Sequence, residues 1–217
     1  MIGLMIKDFV NLKKNIRMFL LVTIVYGFMA YSSRDASFFS SIFTMLIAML
    51  TLSAYSYDEM AKWDIYALTL PVTREDVVRG KYAIMLSLTF LGSIVSMAFT
   101  IVLNMIIGSE ELMKGVTNCW IGAAIVILFY SIALPFITKA GVEKARIIIL
   151  AIYIIPFVIF YLLNQAVKEK GIMIPESLIN IGIRLMDNIN VLLPLFLLFA
   201  LAVSYTISSG IYCKKEF

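Results

Sequence analysis

The sequence predicts an all-α integral membrane protein: an amphipathic interfacial helix, six transmembrane helices and cytoplasmic termini. Three observations carry that expectation. Six uncharged stretches, Met18–Ser33, Ala36–Tyr57, Tyr82–Ser109, Gly115–Thr138, Ile147–Val167 and Asn188–Cys213, take up most of the 217 residues. The apolar fraction is 62% with a mean hydropathy of +0.96, against roughly 45–50% apolar in soluble domains. Thirteen of the 18 basic residues fall on one side if both ends of the chain are cytoplasmic, which the positive-inside rule favours.

Each element has a local reason. Residues 1–17 set Ile2, Met5, Ile6, Phe9, Leu12 and Ile16 at helical spacing, opposite Lys7, Asp8, Asn11, Lys14 and Asn15. That stripe predicts an interfacial helix with its basic face toward anionic lipid. A hydrocarbon core ~30 Å thick needs roughly 20 apolar helical residues. Five of the six stretches reach that length, and Met18–Ser33 is flanked by Arg17 and Arg34, free to snorkel. The long basic arm before Met18 favours retention of this segment over cleavage as a signal peptide.

Gly92 and Ser96, and Ala200, Ser204 and Ser208, form small-residue pairs that permit close helix approach. Pro135, Pro156 and Pro194 are expected to kink their spans. Residues 164–187 read as an extracellular loop, with short re-entrant helices in its apolar second half. The whole chain, 1–217, is one transmembrane domain.

Between spans two and three lies an extended polar segment, residues 58–81. Nine of the 32 charges sit there, with Tyr57, Trp63 and Tyr66 as aromatic anchors. Leu70-Pro71 ends one element, because the residue before proline leaves the α region. Thr73 with Asp76 three positions on is a capping-box analogue that starts the next helix.

Composition excludes several chemistries. There is no histidine, and no span carries Asp, Glu, Lys or Arg. An ion-coupled carrier generally needs such groups near the midplane. Intramembrane hydrolases need paired catalytic groups that are missing here. Cys119 and Cys213 fall on opposite sides in this topology, so no disulfide is expected. Nucleic acid is not an expected partner. A channel, secondary transporter, or sensory or structural membrane subunit remains the alternative reading.

The run Thr69-Leu70-Pro71-Val72-Thr73-Arg74-Glu75-Asp76-Val77-Val78, then Gly80-Lys81-Tyr82, resembles the cytoplasmic loop of ABC-2 type transporter permeases. Leu4-Met5-Ile6-Lys7-Asp8-Phe9 resembles that family's opening helix. Within the family, the chain is similar to the permease subunits of staphylococcal phenol-soluble-modulin exporters. The resemblance implies an ABC-2, type V-like exporter fold in a bacterial cytoplasmic membrane. It also implies a second permease copy, identical or not, and separate ABC ATPase subunits that carry ATP and Mg. Gly80-Lys81 is followed by tyrosine and lacks the phosphate-loop glycines, so no cofactor is expected on this chain.

On this resemblance residues 58–81 are the coupling loop, with Asp58, Glu59, Trp63, Arg74, Glu75, Asp76 and Arg79 as its ATPase-coupling residues. Tyr26, Tyr31, Phe38, Phe39 and Tyr55 are candidates to line a pathway for amphipathic peptides or other hydrophobic cargo. The same aromatics could face lipid or pack within the subunit.

Overall fold

A computed structural model describes residues 2–33, 36–67, 69–107, 112–170 and 189–215, and all regular structure among them is helical. Helix α1 spans Ile2–Leu12 and a 3₁₀ turn at Lys13–Asn15 leads into α2, Ile16–Ser33. They are followed by α3, Ala36–Met60, and a five-residue α4, Trp63–Ala67. Then come α5, Arg74–Ile107, α6, Leu112–Lys170, and α7, Ile189–Lys214. Each uncharged stretch of the sequence falls largely on one of these helices or on one limb of α6. Among the described residues three helices are long and apolar enough to cross a bilayer: Arg74–Ile106, Gly115–Ala145 and Leu192–Lys214. The bent pair α1 and α2, at 61°, passes the same test jointly. The expected re-entrant helices fall at 171–187, outside the described residues.

The break inside α6 differs from expectation in place and form. The helix runs on through Pro135 and Pro156, and its break falls at Gly141, with the non-helical angles φ 81°, ψ 168°. The two limbs of α6 are therefore joined by a hinge of one residue. Residues with a Cβ essentially never adopt this combination of angles. A Cβ at Gly141 would also collide with the Glu59 carboxylate. That carboxylate accepts a hydrogen bond from Val142 N at 2.7 Å, so α3 caps the second limb of α6 from outside.

The other helix ends have equally specific causes. Helix α3 stops where Lys62 takes a positive φ of 48°. Thr73 and Asp76 cap α5 reciprocally: Thr73 Oγ1 donates to Asp76 Oδ2 at 2.7 Å, and Asp76 N donates to Thr73 Oγ1 at 3.1 Å. At the far end of the chain, Arg74 Nη1 donates to the carbonyls of Tyr212, Cys213 and Lys215 at 3.3, 2.8 and 2.8 Å. A cation on the exposed carbonyls of α7 is favourable for both hydrogen bonding and the helix dipole.

Helix α3 packs between α5 and α6, with α7 against α6 and α5. Lipid tails are as apolar as leucine, so close contact and interhelical hydrogen bonds must hold such a bundle. Gly92 provides one close crossing, since a Cβ there would lie 3.1 Å from Ile47 Cβ. Ser96 is fully buried one turn on, 3.5 Å from Cys119 Sγ. Tyr130 OH donates to Ala48 O at 2.7 Å, and Tyr82 OH bonds Ser204 and Ser208 at 2.6 and 2.8 Å. Both small-residue motifs thus serve packing within the chain.

Helix α1 departs from the expected division of its faces. Asp8, placed by the sequence pattern on the headgroup side, is 2% exposed, whereas Ile6 is 57% exposed. Leu12 is buried and Phe9 packs against the same cluster, as the apolar stripe implied. The aspartate turns inward because its charge finds partners there.

Replacing Gly141 by alanine tests the hinge. The backbone strain alone should cost ~1–3 kcal/mol, with the lost cap in addition. Thermal unfolding in detergent should shift down for Gly141→Ala, and an unchanged midpoint would contradict the hinge geometry.

Candidate functional site

The buried charges among the described residues gather at the end of the bundle where both chain termini lie. Asp58 ends α3, Lys81 lies two turns into α5, and Asp8 comes from α1; their exposures are 7%, 8% and 2%. Lys81 Nζ bonds Asp58 Oδ2 and lies 3.2 Å from Asp8 Oδ2. Lys7 Nζ closes the set, 2.6 Å from Asp58 Oδ1 and 3.0 Å from Asp8 Oδ1. Two carboxylates and two ammonium groups make a neutral quartet.

Aromatic faces complete the quartet. Lys7 Nζ sits 4.0 Å from the Trp63 ring centre, and Lys81 Nζ lies 4.9 Å from that of Tyr55. Such cation–π contacts gain strength where water is excluded. At Gly80 α1 lies close to α5, where a Cβ would sit in ordinary van der Waals contact with Leu4 at 3.6 Å.

A second group of polar ties surrounds a cavity of ≈ 90 Å³ beside the quartet, lined by residues of α3 to α7. Tyr212 OH donates to Asp64 Oδ1 at 3.0 Å, and Lys215 Nζ donates to Thr138 O at 3.3 Å. The Glu59 cap at Val142 forms another wall. The cavity has charged groups in a largely apolar lining, and is roomy enough to hold water. End of α3, start of α5, hinge of α6 and end of α7 thus meet at one place.

The seven residues expected to couple divide into two groups. Asp58, Glu59, Trp63 and Arg74 are engaged inside the chain, in the quartet, the hinge cap, the cation–π contact and the α7 clamp. Glu75 and Arg79 pair with each other at 3.1 Å on the exposed side of α5, and Arg79 Nε also donates to Tyr205 OH at 3.0 Å. Asp76 serves the α5 cap, ahead of the uncharged stretch that begins at Tyr82. The Thr73 hydroxyl, and then its N–H, hold the Asp76 carboxyl below the usual carboxylate range. The outward residues of the loop include Tyr66, read from the sequence as an aromatic anchor, and two large apolar residues that the sequence reading did not single out, Met60 and Ile65.

The aromatic residues expected along a pathway are dispersed. Tyr26 packs against the inner cluster around Phe43 and Ile47, and Tyr31 is exposed at the end of α2. Tyr55 belongs to the polar collar at the opposite end of α3. The side chains of Phe38 and Phe39 lie outside the described residues. The signal that could have found the quartet was present in the sequence: Asp58 directly follows one uncharged stretch and Lys81 directly precedes the next.

Apolar helices packed through small residues, with the buried charges among the described residues collected at one rim, define a multi-pass helical membrane protein. The chain belongs to the ABC-2 family transporter proteins, whose pattern it matches from residue 3 to residue 213. No curated protein and no solved structure matches it. Members of this family are membrane subunits of ABC transporters, and membership implies association with an ABC ATPase.

The quartet yields a direct expectation. Removing Lys81 leaves two buried carboxylates with only Lys7 between them, a loss of the kind that costs ~3–5 kcal/mol. Lys81→Met should lower the melting temperature and yield of the detergent-solubilised protein, and adding Asp58→Asn should restore part of both. Equal stability of Lys81→Met and the parent would refute the quartet as a structural tie.

Proposed function

We propose that the chain is the permease subunit of an ATP-driven exporter in a bacterial cytoplasmic membrane, with six spans and cytoplasmic termini. Two permease copies form the translocation pathway, and separate ATPase subunits bind ATP and Mg. Family membership over nearly the whole chain is the observation that carries this reading. The distribution of basic residues supports the orientation. The cargo we propose is an amphipathic peptide or another hydrophobic compound, in keeping with the apolar and aromatic helices and the resemblance to phenol-soluble-modulin exporters.

Residues 58–81 are the proposed coupling loop, and its two groups of residues suit two tasks. Met60, Ile65 and Tyr66 point outward with Glu75 and Arg79, and form the face offered to the ATPase. Exposed aromatic and apolar anchors surrounded by charge are what a docking site uses. Asp58, Glu59, Trp63 and Arg74 tie the base of the loop to α1, α5, α6 and α7. A force applied to the loop would reach the bundle through them. This division explains how one segment can both dock and transmit.

Two measurements test the reading. In intact cells a membrane-impermeant maleimide should label a cysteine introduced at Lys114 and fail to label one at Lys62; labelling at Lys62 would overturn the orientation. Ile65→Ser with Tyr66→Ala should leave melting temperature and permease copy number unchanged while reducing co-purification of the ATPase at least about tenfold, the scale of a truncated interface anchor. Full retention of the ATPase by that variant would remove these residues from the docking face.

A further inference from the structure

A cleft of ≈ 510 Å³ runs between the first limb of α6 and α7, on the side of the bundle away from α3. Its volume lies within the roughly 300–1,000 Å³ of small-molecule sites. The walls are apolar, with Ile132 and Phe136 on α6 and Phe196, Phe199, Val203 and Ile207 on α7. Most of these side chains are exposed, as befits a surface that meets lipid.

The charge at one end of the cleft is what singles it out. Each stripe ends in a lysine at the rim that carries the termini. On α6, Pro135 and Phe136 are followed by Lys139, which itself lines the cleft. On α7, Val203, Ile207 and Ile211 are followed by Lys214 at the next helical step on that face. Both lysines are exposed. Among the described residues neither has a hydrogen bond or ion pair, whereas Lys7 and Lys81 at the same rim are fully engaged. Glu143, four positions after Lys139, falls beyond the Gly141 hinge and makes no pair with it.

We propose that this cleft is a binding site for one acidic phospholipid. Its acyl chain lies against the phenylalanines of α7, and its phosphate is held between Lys139 and Lys214. An apolar groove with Lys139 in its lining and Lys214 one helical step beyond Ile211 offers apolar walls to an acyl chain and positive charge to a phosphate. Basic pockets between transmembrane helices on the positive side of a membrane bind anionic headgroups in this way. A second copy of the chain, with no matching acidic stripe on its described apolar helices, would leave the lysines unpaired. The site does not depend on what the protein exports.

The test uses the full chain, delipidated in detergent and examined by native mass spectrometry with phosphatidylglycerol or phosphatidylcholine of identical acyl chains. The parent should hold phosphatidylglycerol about 25-fold more tightly, and Lys139→Gln with Lys214→Gln should reduce it to the level of phosphatidylcholine, since each surface lysine contributes ~fivefold. Ala200→Phe, which fills the cleft, should weaken both lipids. Lys13→Gln with Lys14→Gln, on the distant 3₁₀ turn, should leave the preference intact. An unchanged preference in the Lys139/Lys214 variant, or equal loss in the Lys13/Lys14 variant, would overturn the site. So would a change in subunit number on Ala200→Phe, which would make the cleft an interface between copies. If Ala200→Phe fails to fold, the two exposed lysine pairs decide alone.

Discussion

A lysine ammonium taken out of water must be neutralised, and in this protein that requirement ties together three helices. Lys81 alone would make α5 an unstable neighbour for α1 and α3. With Asp58 and Asp8 beside it, the same charge demands that all three helices meet at one depth and in one rotation. Lys7 balances the second carboxylate, so the whole group is neutral. Hydrophobic burial cannot supply that specificity in a lipid environment, where an apolar face is as well satisfied by an acyl chain as by another helix. The directional polar contacts of Tyr82, Tyr130 and Arg74 act in the same way farther along the bundle.

The rim therefore combines two properties that are usually separated. Among the described residues it gathers the buried charges, and it is also where helices distant in sequence are tied together. The cavity lies within this region, bounded by helices that belong to distant parts of the sequence. Glu59 touches the α6 hinge and Arg74 holds the end of α7, so the 58–81 segment is tied to both.

How much of this was legible in the sequence depended on the range of the interaction. Apolar run lengths located the helices, because bilayer thickness acts on each segment independently. The Thr73/Asp76 cap and the Leu70-Pro71 stop were legible for the same reason: their partners lie within four residues. Gly141 was passed over, since its role depends on Glu59, more than eighty residues away. Asp8 was assigned to the headgroup side because helical periodicity knows only the helix itself and not Lys81. Likewise the charged loop read as a uniform docking surface, whereas five of its seven named residues, Asp58, Glu59, Trp63, Arg74 and Arg79, reach other helices of the chain. Sequence pattern describes what a segment prefers; the quartet reflects what three segments require of one another.

The spacing of those partners has a consequence for biosynthesis. Asp8 leaves the ribosome 73 positions ahead of Lys81, and until Lys81 has emerged its only described cationic neighbour is Lys7. The opening helix must therefore wait in the headgroup layer, its aspartate hydrated, while two hydrophobic helices are made and inserted. Its final docking belongs to a late stage of synthesis, although it is made before the helices on which it docks. The amino-terminal end thus reports on assembly: it settles only when α3 and α5 have been delivered to the correct depth, and a misinserted hairpin leaves it exposed to proteases.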